Sequence, residues 1–334
     1  MTISTPGTTG QETVTPGGPP AKQLPVDQHL SLDKPAQVDE SAGHDDDQHS
    51  DAGPKTARKV LDPAKERAIT VGEPTPIDTH GPARIIALCN QKGGVGKTTT
   101  TINLGAALAD YGRRVLLVDF DPQGALSVGL GMAPHQLDQT IYNLLMERNA
   151  SVQDTLLKTN VPGMDLLPSN IDLSAAEVQL VGEVAREQAL SRVLRPLIPE
   201  YDYILVDCQP SLGLLTVNAL TAADGVIIPL ECEYFSLRGV ALLMDTVEKV
   251  CDRLNPNLSV DGILATMYDP RTVHGREVFN RVVEAFGELV YHTVVSRTVR
   301  FPETTVAGEP ITTWAPSSAG AEAYRNLARE VLAR

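Results

Sequence analysis

The fold is decided by residues 85–99, which read Ile85-Ile86-Ala87-Leu88-Cys89-Asn90-Gln91-Lys92-Gly93-Gly94-Val95-Gly96-Lys97-Thr98-Thr99. A short β-rich apolar run is followed by a glycine-rich turn, and helical spacing of apolar residues then continues to Gly112. Such a turn points consecutive backbone N–H groups and the helix N-terminus at one place, which suits a phosphate group. The stretch therefore predicts a phosphate-binding loop.

Lys97 and Thr98 end this loop with the groups that a nucleotide requires. The lysine can reach the β- and γ-phosphates, and the threonine hydroxyl can bind Mg²⁺. The standard pattern G-x-x-x-x-G-K-[ST] nevertheless fails, because it requires glycine at position 91, where the chain has Gln91. A second lysine, Lys92, stands at the head of the loop instead. A glycine turn with incidental lysines is the alternative interpretation of this stretch.

From residue 83 onward, short β-rich apolar runs alternate with segments of helical periodicity. This alternation predicts an α/β fold with a mainly parallel, doubly wound sheet flanked by helices. Because ligands of such sheets bind at the carboxyl ends of the strands, we expect the chemistry in the loops after Cys89, Val118 and Val206. The predicted strands are residues 85–89, 115–118, 164–167, 203–206, 225–228, 260–266 and 290–295.

Residues 1–82 differ in composition from the rest of the chain. They contain 11 of the 24 prolines and no Phe, Trp or Tyr, so they cannot bury enough apolar surface to offset the entropy lost on ordering. We expect a disordered, proline-rich acidic tail over residues 1–82 and one folded domain over residues 83–334. The tail carries a net charge of −6 (13 acidic against 7 basic residues), which leaves −8 of the total −14 to the domain.

Charge, cysteines and hydropathy exclude several classes of protein. An acidic domain argues against strong non-specific binding of nucleic acid by net charge alone. The 4 cysteines are far apart without a C-x-x-C pair, which argues against a zinc ribbon or a disulfide framework. We find no signal-peptide pattern and no apolar run of the ~18 residues that a membrane span needs, so we expect a cytoplasmic protein. The last predicted helix, residues 319–332, has a sparse cationic face, so we interpret its apolar stripe as core packing rather than membrane binding.

Residues 92–98, K-G-G-V-G-K-T, resemble the deviant Walker A loop of the ParA/MinD superfamily of P-loop ATPases, and the resemblance covers residues 85–334. Residues 115–124 resemble the A′ (switch I) segment of that superfamily, and residues 203–212 resemble its Walker B strand and switch II. Residues 231–237, E-C-E-Y-F-S-L, and 308–311, G-E-P-I, are similar to the Soj/ParA branch, and in particular to the ParA-like protein that actinobacteria carry beside their main partition ATPase.

The resemblance implies ATP or ADP with Mg²⁺ as the ligands. The metal is expected at Thr98 and Asp207 with support from Asp119 and Asp121, while Asp121 also orients the attacking water. Asp207 as a helix cap and the other two aspartates as turn-forming carboxylates are the open alternatives. Lys92, Lys97 and Asp121 are the expected catalytic residues. The expected ATP contacts are Lys92, Gly93, Gly94, Val95, Gly96, Lys97, Thr98 and Thr99 in the loop, and Thr266, Met267, Ser296 and Arg297 around the adenine.

Lys92 is the residue through which the resemblance implies ATP-dependent dimerisation. In relatives, the lysine at this position crosses the interface of an ATP-bound dimer and touches the partner's phosphates. The resemblance therefore implies a homodimer in the ATP state and slow, partner-stimulated hydrolysis. A lysine that points only to solvent is the alternative.

The chain departs from its relatives at two places. Gln209 stands where D-C-P-P-S motifs have their first proline, so we expect a looser switch II or an amide near the γ-phosphate. Nucleoid-binding relatives carry basic residues on two helices where this chain has acids or glycine, at residues 245–249 and 283–288. We therefore expect weak, non-specific DNA binding.

Three functional hypotheses follow. The first is an ATP-dependent dimerising switch for chromosome or plasmid partitioning, stimulated by a ParB-like protein. The second is a related ATPase that positions protein partners without DNA and without a membrane. The third is a metabolic enzyme with the same loop, such as a cobyrinate synthase; the absence of a glutaminase-like domain weighs against it.

Overall fold

A computed structural model of the chain describes residues 62–233 and 236–334. Its strands are β1 (Arg84–Leu88), β2 (Val115–Phe120), β3 (Leu157–Lys158), β4 (Met164–Leu167), β5 (Tyr203–Cys208), β6 (Gly225–Glu231), β7 (Ser259–Tyr268) and β8 (Val290–Ser296). They form one sheet in the order β3-β4-β2-β5-β1-β6-β7-β8. Each neighbouring pair is parallel except β3 with β4. The predicted α/β fold with a mainly parallel sheet is confirmed.

Helices connect the strands and cover both faces of the sheet. They are α1 (Pro63–Arg67), α2 (Lys97–Asp110), α3 (Ala125–Gly129), α4 (Ile141–Met146), α5 (Val152–Thr155), α6 (Leu173–Gln179), α7 (Ala189–Leu194), α8 (Leu214–Ala222), α9 (Ser236–Arg253), α10 (Val273–Phe286), α11 (Arg300–Ala307), α12 (Ile311–Trp314) and α13 (Ala319–Ala333). Short 3₁₀ turns lie at Pro134–Gln136, Leu180–Gly182, Arg186–Gln188, Arg195–Leu197 and Gly287–Leu289.

The sheet is apolar because it is covered on both sides. All residues of β2, β4 and β6 are buried, as in other parallel sheets between two helical layers. One core lies against α7, α8, α9 and α10, and the other lies against α2, α12 and α13. Each predicted strand is found, whereas β3 was not predicted, because two residues at a sheet edge carry no periodic pattern.

The C-terminal helix packs on the domain as predicted. Tyr324, Leu327, Ala328 and Val331 of α13 are all buried in the core next to α2. Within the described residues, no helix has both the length and the apolar composition to cross a membrane.

The last part of the predicted tail, residues 62–82, lies within the described residues. Residues 62–82 contain α1, in which the Asp62 side chain accepts a hydrogen bond from the Ala64 N–H at 3.2 Å. Farther along, His80 Nδ1 lies 2.7 Å from the Asp202 carboxylate, which also accepts a hydrogen bond from the Gly81 N–H. Composition missed these contacts because they are made by individual polar groups and not by apolar surface. Residues 1–61 lie outside the described residues, and their predicted disorder stays a prediction.

We expect a chain that lacks residues 1–82 to melt below a chain that lacks only residues 1–61. Each lost hydrogen bond removes about 0.5–1.5 kcal/mol of stability, and about 1 kcal/mol lowers the Tm of a domain of this size by about 2–4 °C. Thermal unfolding of the two truncated chains, followed by circular dichroism, measures the difference. Equal melting temperatures would show that the contacts of residues 62–82 contribute nothing to stability.

Candidate functional site

The predicted phosphate-binding loop joins β1 to α2 at the carboxyl ends of the strands. Gly94 and Gly96 have φ values of +76° and +87°, a left-handed conformation that glycine adopts without strain. The Thr266 hydroxyl donates to the Val95 carbonyl at 2.8 Å and ties the loop to β7. The loop therefore has a fixed backbone shape beside the N-terminus of α2, as a phosphate site requires.

Lys97 is the first residue of α2, and its side chain is buried under the loop. Its Nζ donates to the Lys92 carbonyl at 3.1 Å. Burial lowers the pKa of Lys97, while the charge of Asp207 acts in the opposite direction. A phosphate held by the loop would supply the counter-charge that this buried ammonium group has only in part.

Thr98 and Asp207 meet where α2 faces the end of β5. The Thr98 hydroxyl donates to Asp207 Oδ2 at 2.7 Å, and the Thr101 hydroxyl lies 3.4 Å from Oδ1. Burial and the charge of Asp119 raise the pKa of Asp207 to about 8. Hydroxyl and carboxylate oxygens are ligands that Mg²⁺ prefers, so Thr98 and Asp207 fit an ion that also binds phosphate oxygens. No group of three or more His, Cys, Asp or Glu side chains in the described residues could hold a metal by itself.

Asp119 lies beside Asp207 in the register of β2 with β5. Its carboxylate accepts hydrogen bonds from the N–H and the hydroxyl of Ser127 at 2.8 and 2.7 Å, and burial raises its pKa to about 7. Asp121 lies just beyond β2, where its side chain accepts a hydrogen bond from the Gln123 N–H at 2.9 Å. Asp121 thus makes the local bond of a turn-forming carboxylate, whereas Asp119 joins β2 to α3. Their roles toward metal and water stay predictions.

Lys92 contacts two acids at the end of β6. Its Nζ lies 2.9 Å from Glu231 Oε2 and 2.5 Å from Glu233 Oε2. Arg297 contacts the other oxygen of Glu231 at 3.2 Å. Burial by itself would lower the pKa of Lys92, but the hydrogen bonds to the two glutamates raise it. Sequence reasoning gave these glutamates no role, although their spacing of two residues could have placed them at one strand end.

A cavity of about 360 Å³ adjoins the loop at the ends of β7 and β8. It is lined by the four residues that were predicted to surround the adenine, namely Thr266, Met267, Ser296 and Arg297, together with Gly96 and Thr99 of the loop. Phe301 and Tyr324 also line it and were not predicted. Its volume is in the range of small-molecule sites, and its position suits the nucleoside of a nucleotide whose phosphates lie in the loop.

A larger cavity of about 500 Å³ lies at the opposite ends of the strands, between Arg114, Lys158 and Asp165. It contains no predicted site residue. The smaller cavity is the better candidate for a nucleotide because it is continuous with the phosphate-binding loop.

Gln209 contacts an acid that was not expected to be near switch II. Its amide nitrogen lies 3.3 and 3.4 Å from the two carboxylate oxygens of Glu177 on α6. The amide therefore ties the segment after β5 to α6, and a position near the γ-phosphate stays a prediction.

The AAA domain family matches residues 83–260. An uncharacterized protein of Mycobacterium tuberculosis is 69% identical over 264 residues, which are 79% of this chain and 83% of that protein. The sporulation initiation inhibitor protein Soj of Bacillus subtilis is 49% identical over 250 residues, which are 75% of this chain and 98% of Soj.

Two solved structures share the fold and contain a nucleotide. Cobyrinic acid a,c-diamide synthase from Mycobacterium smegmatis, with bound ADP and magnesium, has a TM-score of 0.65 and 43% identity, covering 74% of this chain and 92% of that one. MinD from Pyrococcus horikoshii, complexed with Mg-ADP, has a TM-score of 0.62 and 28% identity, covering 75% of this chain and 96% of MinD.

The fold, the loop and these similarities define a P-loop ATPase. The chain belongs to the ParA/MinD superfamily of these proteins, and its relatives place it in the Soj/ParA branch. The predicted ligands, ADP or ATP with Mg²⁺, are of the kind bound in the two solved structures.

We expect the stability of the nucleotide-free protein to fall as the pH rises from about 5 to about 8. The pKa values of Asp119 and Asp207 are raised to about 7 and about 8 in the folded state, whereas aspartate in an unfolded chain has a pKa of about 3.9. The folded protein thus holds protons that the unfolded chain has lost, and this stabilisation disappears as the pH passes the folded-state values. Tm measured across this range in Mg²⁺-free buffer tests the expectation.

The variant Asp207→Asn should flatten this pH profile, because its amide does not titrate. Asp138→Asn removes an exposed carboxylate and serves as the matched control, which should keep the parent profile. A parent-like slope in Asp207→Asn would contradict the assignment of the proton to this site.

Proposed function

We propose that this protein is an ATP-dependent dimerising switch of the ParA/Soj partitioning type. It hydrolyses ATP to ADP and phosphate, slowly by itself and faster with a ParB-like protein partner. The observation that carries the proposal is the convergence of Lys97, Thr98 and Asp207 at one edge of the sheet, next to a cavity of nucleoside size.

The buried groups of the loop bind and orient the phosphates. The amides of residues 93–98 and the Lys97 ammonium group face the position of the phosphates, and Thr98 with Asp207 would hold Mg²⁺. When bound, Mg²⁺ neutralises charge on the β- and γ-phosphate oxygens. Asp121 orients the attacking water, since it follows β2 at the same edge of the sheet.

Lys92 supports the dimerising step because its present contacts are replaceable. The Lys92 side chain is 41% exposed, and its pair with Glu233 is at the surface. An exposed ion pair of this kind contributes only about 0–1 kcal/mol, whereas Glu231 is largely buried. The triphosphate of a second protomer offers Lys92 a stronger negative charge in place of these contacts. The released lysine then contacts the phosphates of that protomer and couples the nucleotide state to association.

We expect ATP with Mg²⁺ to convert the protein from monomer to dimer, as measured by light scattering after size exclusion. Lys92→Ala should bind ATP but stay monomeric and hydrolyse it slowly, because the contact across the interface is lost. Lys97→Ala should lose nucleotide binding. Asp121→Ala should retain ATP and accumulate the dimer, because only the orientation of water is removed.

Lys249→Ala is the matched control, because this lysine is exposed on α9 and is not part of the loop; it should behave as the parent. A dimer that forms equally with and without ATP, or in Lys92→Ala, would refute the switch. Hydrolysis by Asp121→Ala at the parent rate would refute the assignment of Asp121.

A second candidate function is the positioning of protein partners without DNA. It is supported by Glu248 on α9 and by Gly287 after α10, at positions where the family resemblance implies basic residues in nucleoid-binding relatives. Glu248, Gly287 and the next residue, Glu288, are all exposed. Several arginines that could bind DNA are already paired with acids, namely Arg271, Arg297, Arg325 and Arg329.

DNA binding should accordingly be weak, require the ATP dimer and decrease steeply with salt. Glu248→Arg combined with Glu288→Arg should strengthen it if this surface faces DNA, and each added phosphate contact should steepen the log–log salt dependence by about 0.9. Gly287 is unsuitable for a lysine, because its φ of +53° and ψ of −120° favour glycine. Tight binding by the parent at physiological salt without ATP would contradict this expectation.

A metabolic function like that of the cobyrinic acid a,c-diamide synthase is the third candidate, and its support is the structural similarity. The synthase shares the fold over 74% of this chain, so the reaction and not the fold distinguishes the two functions. Release of phosphate from ATP without glutamine or cobyrinic acid supports the switch, whereas dependence on both compounds supports the synthase.

A further inference from the structure

Residues 62–82 precede the part of the chain that matches the AAA domain family, yet they contact the strand that lines the nucleotide cavity. The hydroxyl of Tyr268 donates to Asp62 Oδ1 at 2.8 Å. Tyr268 is the last residue of β7 and is buried, with its ring 5.4 Å from that of Phe279. The N-terminal segment thus holds the end of a strand that lines the cavity.

Tyr268 is joined to the cavity wall through its backbone. Its carbonyl accepts a hydrogen bond from the Arg297 N–H at 3.2 Å, and it is in register with Ser296 of β8. The preceding residue, Met267, lines the cavity as well. The positions of three residues of the cavity wall, Met267, Ser296 and Arg297, are therefore linked to the position of Tyr268.

Met267 adopts a strained conformation between two fixed neighbours. Its φ is +51°, which a residue with a long side chain avoids. Such backbone conformations persist only where the surroundings enforce them. On one side Thr266 is bonded to Val95 of the loop, and on the other side Tyr268 is bonded to Asp62.

Helix α1 is also attached to β8. His292 Nδ1 lies 2.7 Å from the Arg67 carbonyl, and an Arg67 guanidinium nitrogen donates to the Val290 carbonyl at 3.3 Å. A second cavity of about 330 Å³ lies between α1 and β8, and Ser296 lines both cavities. A displacement of α1 would therefore move residues that line the nucleotide cavity.

We propose that Asp62 is a positioning residue for the nucleotide site, which it supports through Tyr268 and Met267 from outside the residues that match the AAA domain family. The proposal rests on the proposed function, in that the cavity beside the loop is taken to hold the nucleoside. Asp62 touches neither the phosphates nor the reacting atoms. Its effect should therefore be confined to ligands that have a nucleoside.

The test measures the Kd of fluorescent ADP and the displacement of this ADP by inorganic pyrophosphate, with the full chain and Mg²⁺. Asp62→Ala should raise the Kd for ADP about five- to tenfold, the equivalent of one hydrogen bond of about 1–1.4 kcal/mol. The Kd for pyrophosphate should stay within about twofold of the parent value, because the loop itself is unchanged.

Three further variants separate positioning from a general loss of stability. Asp62→Asn keeps an acceptor oxygen for Tyr268 and should restore most of the ADP affinity. Tyr268→Phe keeps the ring against Phe279 and should raise the Kd for ADP as much as Asp62→Ala does. The double variant Asp62→Ala with Tyr268→Phe should show no further increase in Kd. His80→Ala is the matched control, because it removes a contact of the same segment to Asp202, at the other end of the sheet; it should lower Tm and leave ADP affinity unchanged.

The outcomes distinguish this proposal from the proposed function. If the parent fails to bind ADP, or if Lys97→Ala binds it as the parent does, the nucleotide site itself is wrong. If those two controls behave as expected but Asp62→Ala retains the parent Kd for ADP, the positioning role is wrong. An equal rise in the Kd for ADP and the Kd for pyrophosphate also overturns the positioning role, because the substitution would then have changed the phosphate-binding loop.

Discussion

The carboxylate of Asp207 is buried at the end of β5, where the packed sheet excludes water. Its protonation state therefore depends on the few polar and charged groups that contact it. Two threonines of α2 donate toward it, and the Lys97 ammonium group contributes an opposite charge. Asp119, beside it in register, adds a like charge. The free site therefore favours a protonated carboxyl, and a bound cation would remove that preference. The loop, α2 and the ends of β2 and β5 are arranged around this one buried group.

The two lysines of the loop differ mainly in exposure. Lys97 is 7% exposed and is held within the loop by a backbone carbonyl, so its position is fixed. Lys92 is 41% exposed, and its contact with the exposed Glu233 is one that water and salt weaken, although its other partner, Glu231, is largely buried. Burial suits the first lysine for permanent phosphate binding, and exposure suits the second for a contact that forms and breaks. Two lysines with the same ammonium group thus suit different functions because they differ in solvent exposure.

The N-terminal segment, residues 62–82, adds contacts to the domain from outside the residues that match the AAA domain family. It contacts Asp202 near the amino end of β5 and Tyr268 at the carboxyl end of β7. Each contact is a hydrogen bond to a carboxylate, which can be strong when partly buried. Residues that are polar and rich in proline can therefore be part of a folded domain without adding much to its core.

The sequence by itself determined the α/β fold, the phosphate-binding loop and the acids at the strand ends, and the family resemblance indicated four residues that line the cavity. Periodicity, glycine spacing and family motifs are local, so they are readable along the chain. Only the tertiary structure decided the partners of Lys92 and Tyr268. Lys92 and Glu231 are 139 residues apart, and Tyr268 and Asp62 are 206 residues apart. Such pairs meet because the strand order and the path of the N-terminal segment bring them together, and no local pattern encodes that proximity.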